Sequence, residues 1–374
     1  MDRRRLLLWR KAVIAAVSRL VDRFRGTGAH SVTTPPMDGA LQPNQAIEAA
    51  DLVASLAAPD NLVRAGADVL VSSGRSILRL AAPQTPIATF DAPVSALAAA
   101  PDGALAVGLE SGKIAIRGGQ HDGAIVDSVG GRALVCPTAL AFEDAGTLLV
   151  CLGSRRNPPG RWRHDLMQRE ASGSVWRIRL GGDAECLADG LAYPYGIMPR
   201  GNGQVVVSEA WRRRLVAIGA GAPAATVLDD LSGYPSRLVA RRGGGAWLAV
   251  FAPCSQLIEF VLRERDYCET MMRDIPEAYW IAPSLAAPRS FLEPLQGGAL
   301  KQLGMLKPWA PTRSLGLVVA LDERLRPTAS WHSRADGTRH GVTSCIEDEN
   351  GGLLVASKGG DAVLRLDAGG EAGA

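Results

Sequence analysis

One pattern recurs along this chain and limits what it can fold into. A tight turn rich in glycine leads into a short apolar strand, and a second strand with alternating polar and apolar residues follows. The clearest copy lies between Gly190 and Val250. Tyr195-Gly-Ile-Met is a short apolar run, and Arg200-Gly-Asn-Gly is a turn, since glycine and asparagine accept positive φ. Gln204-Val-Val-Val-Ser reads as a buried strand, Arg214-Leu-Val-Ala-Ile as a third and Thr226-Val-Leu as a fourth. The pattern restarts at Ser236, with Arg242-Gly-Gly-Gly as its turn and Ala246-Trp-Leu-Ala-Val after it. The turn-plus-strand half returns at Pro101-Asp-Gly-Ala-Leu-Ala-Val, Glu143-Asp-Ala-Gly-Thr-Leu-Leu-Val and Glu349-Asn-Gly-Gly-Leu-Leu-Val. The other half returns at Ser76-Ile-Leu-Arg-Leu, Lys113-Ile-Ala-Ile-Arg, Ser174-Val-Trp-Arg-Ile, Gly316-Leu-Val-Val-Ala-Leu and Ala362-Val-Leu-Arg-Leu. About six copies at a period of roughly 40 residues predict propeller blades. The expected fold is all-β, a six-bladed β-propeller; a sandwich or barrel with coincidental turns is the competing reading.

The flanks differ from the repeat. Residues 1–26 start with a basic cluster, and Leu6, Trp9, Val13, Val17, Leu20 and Phe24 share one helical face. This predicts a basic amphipathic helix. It packs on the domain or a partner, lies on an anionic membrane surface, serves as an atypical signal segment, or is disordered. Its uncharged run, Ala12 to Ser18, is far too short to span a bilayer. Residues 27–45 read as a linker, 46–368 as the propeller and 369–374 as a tail. A helical insertion at about 252–313 interrupts blade five, with Leu257, Phe260, Val261 and Tyr267 as its inner stripe. Trp280 and Trp309 are expected to pack within it as a lid.

A net charge of +3 over 374 residues gives no electrostatic reason to bind nucleic acid. None of the six cysteines forms a Cys-x-x-Cys pair, so a zinc site has no support, and buried free thiols are expected.

Three segments resemble the signature of the strictosidine synthase-like family, whose relatives include gluconolactonases and paraoxonase-type lactonases. They are Leu187-Ala-Asp-Gly-Leu-Ala-Tyr-Pro-Tyr-Gly-Ile, Ser208-Glu-Ala and Leu231-Ser-Gly-Tyr-Pro-Ser-Arg-Leu. The resemblance extends over about residues 50 to 368 and is specific for the fold rather than the chemistry. It implies a site in the central channel, where metal-binding relatives hold calcium. Asp60 stands at the position of their ligating glutamate, followed by Asn61, and Thr138 lies near a ligating asparagine. The departures fall on the remaining ligands. Tyr195 replaces the asparagine of Phe-Pro-Asn-Gly, and Ser236 and Arg237 replace an acid and an amide. Calcium wants six to eight oxygens, several of them charged, so no metal and no other cofactor is expected. Thr343 takes the place of the glutamate used by metal-free plant synthases, so alkaloid condensation is not supported either.

Two functions remain open. One is a metal-independent hydrolase of a small lactone or ester. Asp60 or His340 would activate water, Arg237 or Tyr195 would stabilise the oxyanion, and Asn61, Thr138, Ser236 and Thr343 would line the substrate. The other is a non-catalytic ligand-binding or scaffold propeller, held through residues 1–26 at a membrane or a membrane-protein partner. The expected location is cytoplasmic, with peripheral membrane attachment as the variant. The insertion Arg155-Arg-Asn-Pro-Pro-Gly-Arg-Trp-Arg-His offers Arg161, Arg163 or His164 to an anion, or is a solvated basic loop. Glu110, at a hairpin, and His332, at a turn, read as solvated.

Overall fold

The computed structural model describes residues 34–219, 223–290, 292–294, 301–302, 305–306 and 313–367. Helix 1–26, tail 369–374 and Trp309 lie outside the described residues. None of the described helices is long and apolar enough to cross a membrane.

Six four-stranded antiparallel sheets form the predicted ring. Blade one comprises Pro59–Ala65, Asp68–Ser73, Ser76–Arg79 and Ala82–Thr89. Blade two comprises Val94–Ala99, Leu105–Leu109, Lys113–Arg117 and Ile125–Val126, and blade three Pro137–Asp144, Thr147–Leu152, Gly173–Arg179 and Ala184–Leu191. Blade four, Pro194–Gly201, Gln204–Glu209, Arg214–Ile218 and Ala225–Leu228, follows the strand assignment made from the sequence. Blade five comprises Gly233–Ala240, Ala246–Pro253, Leu317–Leu321 and Pro327–His332. Blade six comprises Val342–Glu347, Leu353–Ser357 and Ala362–Leu366, and its fourth strand is Asp51–Ser55 from the other end of the propeller. The first strands of neighbouring blades pack on one another around the axis.

One boundary differs from the sequence pattern, which runs blade six from Thr328 to Leu366: Thr328 to His332 belongs to the outer edge of blade five, because it pairs with Leu317–Leu321. The ring closes when Asp51–Ser55 pairs with Ala362–Leu366. The segment read as linker is also engaged: Asn44 Nδ2 donates to the Ser330 carbonyl and its Oδ1 accepts the His332 amide.

The core sits between blades. Side chains alternate across a strand, so the middle strands, apolar at most positions, serve two neighbours. In blade three, Leu148 and Val150 join Ala96, Ile114 and Ile116 of blade two. Leu149 and Cys151, one residue out of phase, join Ile197, Val205 and Val207 of blade four. Equivalent layers lie between the other pairs, including Ile346, Leu354 and Ala356 against Leu62, Val71 and Leu78, where blade six meets blade one.

The blade-five insertion contains helices Gln256–Val261 and Arg265–Asp274. Its buried stripe is Ile258, Val261, Leu262, Cys268 and Met271, whereas Leu257, Phe260 and Tyr267 are about half exposed. The stripe expected from periodicity is thus correct only at Val261. Two short helices meeting at a bend do not share one continuous face. Trp280 is buried and donates its indole N–H to the Ile275 carbonyl, consistent with lid packing. The blade-three insertion is not a loop: it forms helix Trp162–Gln168, and Leu166 and Met167 share a core with the blade-five helices. The described cysteines are all unpaired thiols, and Cys186 alone is exposed.

Candidate functional site

Each first strand carries a register shift near its start. The breaks fall between Pro59 and Leu62, Val94 and Ala96, Pro137 and Ala139, Pro194 and Gly196, Pro235 and Leu238, and Val342 and Ser344. The residues inside them are Asp60 and Asn61, Ser95, Thr138, Tyr195, Ser236 and Arg237, and Thr343. A bulge leaves a residue out of the ladder and re-aims its side chain and carbonyl. Proline immediately precedes the shifted residues in blades one, three, four and five. It suits the start of a strand because it has no N–H to give the ladder.

In blades one and five the shift spans two residues, and one of each pair is charged: Asp60 and Arg237. Arg237 Nη1 donates to Asp60 Oδ1 at 2.7 Å, and Lys358 Nζ donates to Asp60 Oδ2 at 2.7 Å. Arg237 Nη2 donates to the carbonyls of Ser95 at 2.6 Å and Thr138 at 3.2 Å, and Nη1 also reaches the Thr343 carbonyl at 3.3 Å. The guanidinium carbon lies 5.1 Å from the centre of the Tyr195 ring. Burial by itself pushes the Asp60 carboxyl up, but Arg237 and Lys358 together outweigh it and hold the group down at about 2. Burial also opposes the charge on Arg237 and Lys358, and Asp60 reverses this, raising both.

Beside this network lies a cavity of about 230 Å³. Asp60, Glu110 and Lys358 are its charged lining, Ser95 and Thr138 its hydroxyls, and Trp162, Tyr193, Tyr195 and Phe251 its aromatic walls. Phe251 meets Trp162 and Tyr195 edge to face at 5.4 and 5.5 Å. The Ser95 hydroxyl is buried without a hydrogen-bond partner among the described residues.

Glu110 is therefore not a solvated hairpin residue. It follows the second strand of blade two, and its amide donates to the Pro93 carbonyl at 2.9 Å. Gly160 packs so closely over its carboxylate that a β-carbon there would stand 2.8 Å from Oε2. Burial raises the Glu110 carboxyl from its ordinary value, Lys358 lowers it and Asp60 raises it further. Lys358 occupies the corresponding place after the second strand of blade six. Sequence reasoning missed both because each lies in a turn, and only the ring brings the two turns to one end of the axis.

The structure brings Asp60, Arg237, Thr138, Tyr195 and Thr343 together around the axis. Thr343 Oγ1 donates to the Asp60 carbonyl, and Thr138 Oγ1 to those of Cys151 and Pro194. Ser236 is buried, with its hydroxyl donating to Ala249 and Val342 carbonyls, and Asn61 Nδ2 donates to Ser72 Oγ; neither of these nor Thr343 lines the cavity. His340 is not brought to it either. Its Nδ1 lies 2.8 Å from Ser314 Oγ and its Nε2 2.8 Å from the Arg334 carbonyl. Arg163 and His164 turn towards Glu277, at 3.7 and 3.6 Å. His332 is fully buried, not exposed at a turn, because it ends the outer strand of blade five beneath Asn44. Glu209, in the Ser208-Glu-Ala segment, is buried between Arg212 and Arg214 and accepts the Ala192 amide.

No family model and no curated protein matches the sequence. Among solved structures, a gluconolactonase from Xanthomonas campestris superposes with a TM-score of 0.53 at 13% identity, over 89% of this chain and 96% of that one. A structural-genomics target assigned as a gluconolactonase superposes with a TM-score of 0.51 at 11% identity, over 85% of this chain and 91% of that one. At such identities the likeness is one of fold, and the chain is a six-bladed propeller similar in architecture to gluconolactonases.

Proposed function

We propose that the axial cavity hydrolyses a small lactone or ester without a metal ion. The observation that carries this reading is the lining itself: a carboxylate raised by burial, a lysine and an unpartnered serine hydroxyl share one small aromatic-walled cavity. The fold likeness to gluconolactonases supports the substrate class. Calcium, implied by the family resemblance, does not suit this donor set. It needs six to eight oxygen ligands, whereas both Asp60 oxygens are engaged by cations and three axial carbonyls receive N–H groups from Arg237.

Asp60, held down at about 2 and engaged on both oxygens, is a poor base, so the role passes to Glu110. Glu110 takes a proton from water as the water oxygen bonds to the acyl carbon. The carbonyl electron pair moves onto oxygen, where the Lys358 ammonium stabilises the negative charge with Arg237 behind it. The intermediate collapses with cleavage of the acyl C–O bond, and the leaving alkoxide takes the proton back from Glu110. The product is a hydroxy acid, or an acid and an alcohol. The aromatic walls exclude bulk water and strengthen these interactions.

The test is pH-stat turnover of a panel of small lactones and aryl esters in EDTA. The wild type should turn over at least one of them. Glu110→Gln and Lys358→Met should each lower kcat by about 100-fold or more while the fold is retained. The acid limb of the wild-type profile should lie above the ordinary glutamate range, in the direction of the Glu110 shift. Ligand binding without turnover would favour the binding propeller, and insensitivity to both substitutions would sink the mechanism.

A further inference from the structure

We propose that Arg237 is a built-in cation that fastens all six blades together at the propeller axis, in place of a bound metal ion. Its guanidinium engages Asp60 of blade one, Ser95 of blade two, Thr138 of blade three, the Tyr195 ring of blade four and Thr343 of blade six, and its backbone belongs to blade five. The side chain is almost completely enclosed, with 12% of its surface exposed.

The reason lies in the bulges. The carbonyls of Ser95, Thr138 and Thr343 belong to residues that the register shifts leave out of their ladders. Freed from strand pairing, these oxygens turn to the axis beside the Asp60 carboxylate. A ring of electronegative oxygens at one point needs positive charge or donors, since buried oxygens without partners are costly. A guanidinium supplies both: it is always charged, and its N–H groups fan out in one plane. The double shift in blade five carries Arg237 far enough inward to deliver it. Lys358 on the second Asp60 oxygen then leaves one carboxylate between two cations, and Glu110 is the remaining charged group in the cavity lining. The inference concerns the axis beneath the cavity and holds whether or not the cavity hydrolyses anything.

The test compares wild type, Arg237→Lys and Arg237→Met by thermal unfolding, each with EDTA and with millimolar calcium chloride. The wild-type Tm should not move with either additive. Arg237→Lys keeps the charge but loses the planar fork, and it should fold with a Tm about 10 °C lower. Arg237→Met should lose at least as much, and failure of that variant to fold is the same result in stronger form. A saturable rise in the wild-type Tm with calcium chloride, or a fall with EDTA, would show that an ion fastens the ring and would overturn the inference. A lysine variant as stable as wild type would overturn it too, because charge alone would then suffice. No readout uses turnover, so the hydrolase reading can fail without touching this one.

Discussion

Arg237 and Asp60 are 177 positions apart in sequence and 2.7 Å apart in space. Pairing on this scale decides what single residues do. The Asp60 carboxyl, at about 2 in the fold against 3.8 ordinarily, gives stability that is present above pH 3.8 and lost as the pH falls through 2. His332 acts at higher pH. Burial lowers its imidazole from 6.5 to about 4, so it folds neutral, with Nε2 2.9 Å from Ser330 Oγ. The unfolded chain takes up the proton first, and stability present above pH 6.5 is lost as the pH falls through 4. Urea unfolding should therefore show the wild type losing on the order of 3 kcal/mol over that interval from this group. His332→Asn should flatten that slope, whatever its stability at pH 7. An unchanged slope would mean that His332 is not buried neutral.

At the level of elements, the ring depends on a strand that contributes little apolar burial. Of Asp51–Ser55, only Ala54 is buried. Its function is to cover Ala362–Leu366, which would otherwise be a free edge. Removing residues up to 55 should expose that edge and also take Ile47 out of the layer it shares with Trp247 and Trp331. The expected outcome is a lower Tm with concentration-dependent association by light scattering; a monomeric truncated protein of wild-type Tm would refute it. Glycine is constrained at one element as well. Gly160→Ala would put a methyl group 2.8 Å from Glu110 Oε2. It should reduce turnover by displacing the proposed base, with little change in Tm.

For the molecule as a whole, the propeller turns a weak local pattern into a strong global arrangement. Every blade exposes apolar residues on both faces and buries them only against its neighbours, so the ring must close for any blade to be satisfied. The same closure gathers six strand starts at the axis. Substitutions in the inter-blade layers, such as Leu149→Ala, should cost about 2–5 kcal/mol by chemical denaturation. They should leave the chemistry of the cavity unchanged in the fraction that remains folded.

The sequence by itself determined the number and order of blades. That information is local: positive-φ turns, β-branched strands and a period of roughly 40 residues can each be read over a short window. It also marked Asp60, Thr138, Tyr195, Arg237 and Thr343, through the family resemblance of the segments that carry them. The tertiary structure alone decided the remainder. Fourth strands look alike in sequence, so pairing had to show that Thr328 to His332 closes blade five and Asp51–Ser55 closes blade six. Glu110, Lys358 and Trp162 sit in turns and an insertion whose convergence depends on ring geometry, and His340 was kept from the cavity by Ser314 and the Arg334 carbonyl. A fold written in local repeats is legible residue by residue, whereas a site at its axis is assembled from six distant places and has no local signature.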